Sequence, residues 1–68
     1  MKLQKDESGD FRLHLTEQQL LAMFSCMRES IAALDKRAFE ARVGFSLEVV
    51  SRCAQDLMGA MEEAGVEL

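Results

Sequence analysis

The side chains that could do chemistry are few in this chain, and they lie far apart in the sequence. His14 is the only histidine, and the alternation of apolar and polar residues around it places it beside Arg12 on the polar face of a strand. Neither Cys26 nor Cys53 has a neighbour at the spacing of a C-x-x-C redox pair or a metal site. We therefore expect no bound metal and two reduced, half-buried thiols that pack as small hydrophobic side chains.

Catalytic motifs built on other residue types are missing as well. None of the serines stands in the G-x-S-x-G context of a nucleophile elbow, and the four glycines are too scattered to form a phosphate-binding loop. Glu62, Glu63 and Glu67 are expected to form a solvated helix end rather than an acid/base pair. The sequence thus predicts a protein that is not an enzyme and that binds no cofactor.

Length and composition predict one small globular domain over residues 1–68. The chain has 68 residues, is 49% apolar and 29% charged, and contains no proline, so neither a disordered chain nor a fibrous repeat fits. No apolar run approaches the ~18 residues that a membrane span needs. The first six residues lack the apolar core of a signal peptide, so we expect a cytoplasmic protein.

Charge is unevenly distributed along the chain, and this narrows the expected partners. The formal net charge is −4. Residues 1–15 and 16–43 are each neutral, whereas residues 44–68 hold Arg52 as their single positive side chain against five acidic ones. Because nucleic-acid binding depends mainly on the neutralisation of phosphates, this acidic segment argues against a duplex as the partner.

The first fifteen residues predict a β-hairpin. Residues 11–15 (FRLHL) alternate apolar and polar side chains, as a half-buried strand does, and residues 1–5 form the matching partner. A two-residue loop would set Leu3 opposite His14, on the wrong face, so we expect the three-residue loop Glu7–Gly9. That loop predicts three pairs: Met1 with Leu15, Leu3 with Leu13, and Lys5 with Phe11. Because an isolated hairpin is marginal in water, its apolar face must lie on helices or on another chain.

Three helices are predicted to follow, at residues 16–34, 35–43 and 46–64. A capping box of Thr16 and Gln19 starts the first helix, and Asp35 starts the second. The second helix is expected to turn Ala38, Phe39 and Val43 inward. Gly44 ends this helix and Ser46 starts the third. The long helices carry two apolar stripes: Leu20, Phe24, Met27, Ile31, Leu34 and Leu47, Val50, Ala54, Leu57, Met61, Ala64. The expected fold is α+β, a two-stranded hairpin packed on a small bundle of two long helices and one short helix (β-β-α-α-α).

The stretch Phe39–Arg52 (FEARVGFSLEVVSR), with Gly44 in the turn and Ser46 at the start of the second helix, resembles the helix-turn-helix of bacterial regulators. The resemblance implies a DNA-binding regulator as the alternative function, with contacts from Arg28, Lys36, Arg37, Arg42 and Arg52. The stretch departs from the pattern at Glu40, where the motif places a small residue. In the second helix of the motif, Arg52 is almost the only side chain suited to contact bases in a DNA groove. We therefore expect helix-turn-helix geometry without DNA binding.

A second resemblance concerns the order of motifs along the whole chain. Leu15-Thr16-Glu17 opens a leucine-rich helix, and Phe39, Arg42 and Gly44 form an F-x-x-R-x-G pattern before the last helix. This order is similar to that of a loose group of small bacterial proteins of unknown function. The resemblance implies a fold and carries no activity.

Apolar surface is the remaining candidate for function. Met23 and Met58 flank the stripes of the long helices, and Phe45 stands in a connector, where a large apolar side chain either fills the core or anchors a partner. Together with Met61 they are the candidate interaction residues, since methionine repacks easily. A chain of this length is marginal as an independent fold. We therefore expect a homodimer or contact with another protein, through the hairpin edges or the Met58/Met61 side of the last helix.

Overall fold

The computed structural model describes residues 1–67 and contains five elements in the order β-β-α-α-α. They are β1 (Lys2–Lys5), β2 (Phe11–His14), α1 (Glu17–Ala33), α2 (Lys36–Val43) and α3 (Leu47–Glu63). The predicted α+β class and element order are confirmed, and α1 and α3 each end one residue earlier than expected. The last residue of the predicted domain, Leu68, lies outside the described residues.

The hairpin has the predicted register. Its strands pair antiparallel, with Leu3 opposite Leu13 and Lys5 opposite Phe11. The ladder begins at the pair of Lys2 with His14, so the predicted pair of Met1 with Leu15 lies beyond it. This register places the apolar side chains of both strands on one face, because successive residues of a strand point to opposite faces.

The three-residue turn of the hairpin is held by Asp6. Gly9 has φ +95°, a left-handed conformation that residues with a β-carbon rarely adopt, and its N–H donates to the Asp6 carbonyl at 3.2 Å. The Asp6 carboxylate accepts hydrogen bonds from the backbone N–H of Ser8 at 2.9 Å and of Asp10 at 3.1 Å. The Ser8 hydroxyl donates to the same carboxylate oxygen. These bonds lower the pKa of Asp6, with the hydroxyl of Ser8 as the largest cause.

Side-chain caps start the three helices where the sequence predicts them. At α1 the Gln19 N–H donates to Thr16 Oγ1 at 3.1 Å, and the Thr16 N–H donates to Gln19 Oε1 at 2.9 Å, which completes the capping box. The Asp35 carboxylate accepts from the Ala38 N–H at 2.8 Å and caps α2. The Ser46 hydroxyl accepts from a backbone N–H in the first turn of α3.

Glycines in the left-handed conformation end α2 and α3. Gly44 has φ +86°, and its N–H donates to the Glu40 carbonyl at 3.1 Å. After α3, the Gly65 N–H donates to the Glu62 carbonyl at 3.1 Å and the Val66 N–H donates to the Met61 carbonyl at 2.9 Å. The second arrangement is a Schellman motif. The chain between α2 and α3 is therefore short and turns sharply.

The core lies where α3 packs against α1 and α2. Four apolar side chains from the three helices are buried: Phe24, Phe39, Ala54 and Met61. The other stripe positions of the long helices are half-buried, except Ala64, which is exposed. Val43, expected on the inner side of α2, is exposed instead, because it occupies the last turn of that helix beside Gly44.

The hairpin stands apart from this core. Its strands contact one another, and no comparable contact joins either strand to a helix within residues 1–67. All the residues of both strands are exposed. The sequence predicts that the apolar face of the hairpin is covered either by the helices of the same chain or by another chain. Because the face is exposed, the helices of the same chain do not cover it.

The overall shape is correspondingly open. The chain exposes 5608 Å², whereas a folded protein of this mass exposes about 4,300 Å². The radius of gyration is 13.4 Å, against about 11 Å for a compact domain of this length. None of the helices within residues 1–67 is both long enough and apolar enough to cross a membrane.

Candidate functional site: exposed apolar surfaces

The groups with chemical potential remain apart in the structure. His14 is exposed on the hairpin, and no cluster of three or more metal-ligating side chains occurs within the described residues. Cys26 and Cys53 are free and exposed. The expectation that both thiols are half-buried is therefore wrong: each lies beside a stripe position of its helix, not within the stripe, and the bundle is too narrow to cover both sides.

An open cleft of about 330 Å³ lies between the hairpin and the start of α1. Its lining is formed by Met1, Lys2, His14, Leu15, Thr16 and Gln19. The polar groups of Thr16 and Gln19 are already engaged with one another in the capping box of α1. A binding site needs convergent polar groups and enclosure, and this cleft offers neither.

The largest group of exposed apolar side chains lies on the hairpin. We define the hairpin face as Met1, Leu3, Phe11 and Leu13, all of which are exposed; Leu3 is 62% exposed and Phe11 is 63% exposed. Lys5 shares this side of the sheet, and its Nζ lies 5.9 Å from the centroid of the Phe11 ring. Clustered apolar side chains in water are unusual on a monomer and indicate an interaction surface.

A second apolar group lies at the junction of α2 and α3. We define the junction patch as Val43, Phe45 and Val49, which are all exposed, with Phe45 at 65%. Of the two expectations for Phe45, a core plug or an anchor for a partner, the first is wrong. Neither valine was among the candidate interaction residues. The sequence could have identified Val49 as a candidate, because it is an apolar residue that lies off the apolar stripe of its helix.

The predicted methionine surface is only partly present. Met23 and Met58 are exposed, as an interaction surface requires. Met61 is 2% exposed and belongs to the core, so its place among the interaction residues needs correction. Position decides the difference, since Met61 continues the stripe of α3 and Met58 lies beside it.

The basic residues predicted for DNA contact are exposed on all three helices: Arg28, Lys36, Arg37, Arg42 and Arg52. Lys36 is already paired, because its Nζ lies 3.0 Å from Glu48 Oε1. The hydrogen bond and the charge of Glu48 raise the pKa of Lys36, and the same hydrogen bond lowers the pKa of Glu48. The guanidinium of Arg28 lies 5.9 Å from the ring centroid of Phe24.

No protein-family model, no curated protein and no solved structure matches this chain. The resemblances to helix-turn-helix regulators and to a group of small bacterial proteins therefore remain predictions. The local features quoted for the first of them, a left-handed Gly44 and a capping Ser46, are both present.

Proposed function

We propose that this chain is a non-catalytic protein–protein interaction module that acts as a homodimer. The observation that carries the proposal is the exposed surface, which at 5608 Å² exceeds by about 1,300 Å² the surface expected of a compact monomer of this mass. Exposed apolar side chains contribute to it on the hairpin face, at the junction patch and at two methionines. A partner that covers such surface supplies stability that the small core cannot.

A second copy of the chain is a sufficient partner. A standard interface buries about 800 Å² on each side, which is less than the excess surface of one chain. A symmetric dimer needs no further component, because the same surface is presented by both copies. The open shape, in which no extensive contact joins the hairpin to the helices within residues 1–67, leaves room for such contact.

Light scattering on a size-exclusion column at micromolar concentration tests the proposal. We expect a mass near twice the 7.6 kDa of the chain, and a melting temperature that rises with protein concentration because association stabilises the folded state. A species of 7.6 kDa that melts cooperatively at a temperature independent of concentration would refute the homodimer.

A DNA-binding regulator is the second candidate, and the capped junction between α2 and α3 favours it. The net charge of −4 and the pairing of Lys36 with Glu48 oppose it. The two candidates differ in the response to salt: a DNA-binding protein loses affinity steeply between about 50 and 200 mM salt. An Arg42→Ala/Arg52→Ala variant is the matched control, since it removes charge from both helices of the junction. If no duplex binding is detected at low salt, the DNA-binding candidate is rejected and the interaction module is kept.

A further inference from the structure

We propose that the two copies meet through the hairpin face, packed against its own counterpart across a two-fold axis. The inference rests on the proposed homodimer and specifies which of the exposed surfaces forms it. The occupant of the hairpin face is thus a second hairpin, contributed by an identical chain.

The first argument is the hairpin's need for cover. A two-stranded hairpin is at best marginally stable when isolated in water, and the helices of the same chain leave this face exposed. The face is apolar on both strands, because the register sets Leu3 opposite Leu13. Two sheets pack face to face at a separation of about 10 Å through such apolar sides, while the alternate residues stay in solvent.

The second argument is charge. The hairpin residues 1–15 carry three basic and three acidic side chains, so the hairpin as a whole has no net side-chain charge that would repel a second copy. Residues 44–68, which include α3, carry the whole excess of negative charge, so the same surface of two copies would repel. Lys5 is the one charged side chain on the apolar side, and its ammonium group lies over the Phe11 ring, beside the turn.

The third argument is area. The excess surface of one chain, about 1,300 Å², is larger than the ~800 Å² that one side of a standard dimer buries. The hairpin face is the largest of the exposed apolar groups, and the strand edges beside it carry unpaired backbone groups that a second strand could approach. Two-fold symmetry allows this one surface to serve both copies.

The first experiment compares Leu3→Glu on the hairpin face with Phe45→Glu in the junction patch. Both changes place a carboxylate at an apolar position of nearly equal exposure. We expect Leu3→Glu to raise the dimer dissociation constant at least tenfold and Phe45→Glu to change it less than threefold, as measured by analytical ultracentrifugation. Retained helical circular dichroism establishes that the bundle is still folded in each variant.

The outcomes separate this inference from the proposed function. A wild-type chain that stays monomeric refutes both. A wild-type dimer that Leu3→Glu leaves intact, or that Phe45→Glu dissociates equally well, refutes the hairpin interface and keeps the homodimer.

A second experiment does not depend on the stability of a charged variant. In a Cys26→Ser/Cys53→Ser background, Leu13→Cys places a thiol on the hairpin face and Arg12→Cys places one on the opposite side of the same strand. Under mild oxidation we expect disulfide-linked dimers from Leu13→Cys and at least tenfold fewer from Arg12→Cys. Equal yields from the two variants would overturn the face-to-face arrangement.

Discussion

Phe39 in the helical part and Phe11 in the hairpin are the same type of residue, but they differ in burial. Phe39, on α2, is 0% exposed, whereas Phe11, on β2, is 63% exposed. Both stand in amphipathic segments, and both lie on the apolar side of their element. The difference arises because α2 packs against α3, which also packs against α1, whereas neither strand makes a comparable contact with a helix within residues 1–67.

The contrast teaches that amphipathic pattern and burial are separate properties. Pattern states which side of an element is apolar, and burial requires a second layer to pack on that side. Within residues 1–67, the helical part contains its second layer, and the hairpin has no comparable one. The hairpin is therefore the region where a partner contributes most.

The largest expected effect in this comparison is that of Phe39→Ala. Removal of a buried phenylalanine costs about 3–5 kcal/mol, which approaches the whole stability of a domain of this size. We expect the variant to be largely unfolded at every protein concentration, as measured by circular dichroism.

Phe11→Ala is the matched control on the hairpin. We expect it to cost less than about 1 kcal/mol within one chain and to reduce the concentration dependence of the melting temperature. If Phe11→Ala unfolds the isolated chain as Phe39→Ala does, the contrast between the two regions is wrong.

Two methionines three positions apart in α3 provide the next test. Met61 is buried and Met58 exposed, so we expect Met61→Ala to lower the free energy of unfolding by about 2–4 kcal/mol and Met58→Ala by less than about 1 kcal/mol. Urea denaturation of the two variants measures both values. Equal losses would show that Met58 also belongs to the core.

Glycine substitutions test the backbone with smaller effects. Gly44 has φ +86°, a conformation that costs a residue with a β-carbon about 1–2 kcal/mol, so Gly44→Ala is expected to destabilise the chain by about that amount. Gly59 lies inside α3, and a β-carbon there would meet no atom within 4 Å apart from the adjacent residues and backbone of its own helix. Gly59→Ala should therefore stabilise α3 by about 0.5–1 kcal/mol. Changes of the same sign in thermal melts of both variants would contradict this account.

The smallest expected effect is a local response of the hairpin turn to acid. The pKa of Asp6 is lowered from 3.8, mainly by the Ser8 hydroxyl, so the ionised carboxylate stabilises the turn above that pH. This contribution is lost as the pH falls below 3.8 through the lowered value. The amide resonances of Gly9 and Asp10 should report the transition.

Serine variants supply the control for the acid response. Ser8→Ala removes the largest cause of the shift, so the transition should move to higher pH. Ser30→Ala, which removes a hydroxyl bonded to the Cys26 carbonyl in α1, should leave it unchanged. A transition unaffected by Ser8→Ala would show that other groups lower the pKa of Asp6.

Much of the candidate site was predictable only in outline. The hairpin register places Leu3 and Leu13 on one face from alternation alone, and the need of that face for cover follows from the marginal stability of hairpins. The exposure of the hairpin face could not be predicted from these patterns, and neither could the exposure of Cys26 and Cys53. Exposure depends on which elements pack together. Val43 shows the same limit, since an inner position on a helical wheel is not covered where the helix ends.

The amino-acid sequence by itself determined the local structure of this protein: the element order, the register of the hairpin, the capping box at Thr16 and the left-handed glycines that end α2 and α3. These features depend on hydrogen bonds and backbone conformations within a few residues, so short patterns suffice to specify them. Only the tertiary structure decided that Met61 is buried while the hairpin face is exposed. Burial depends on contacts between elements distant in the chain, and a short sequence pattern does not contain those contacts.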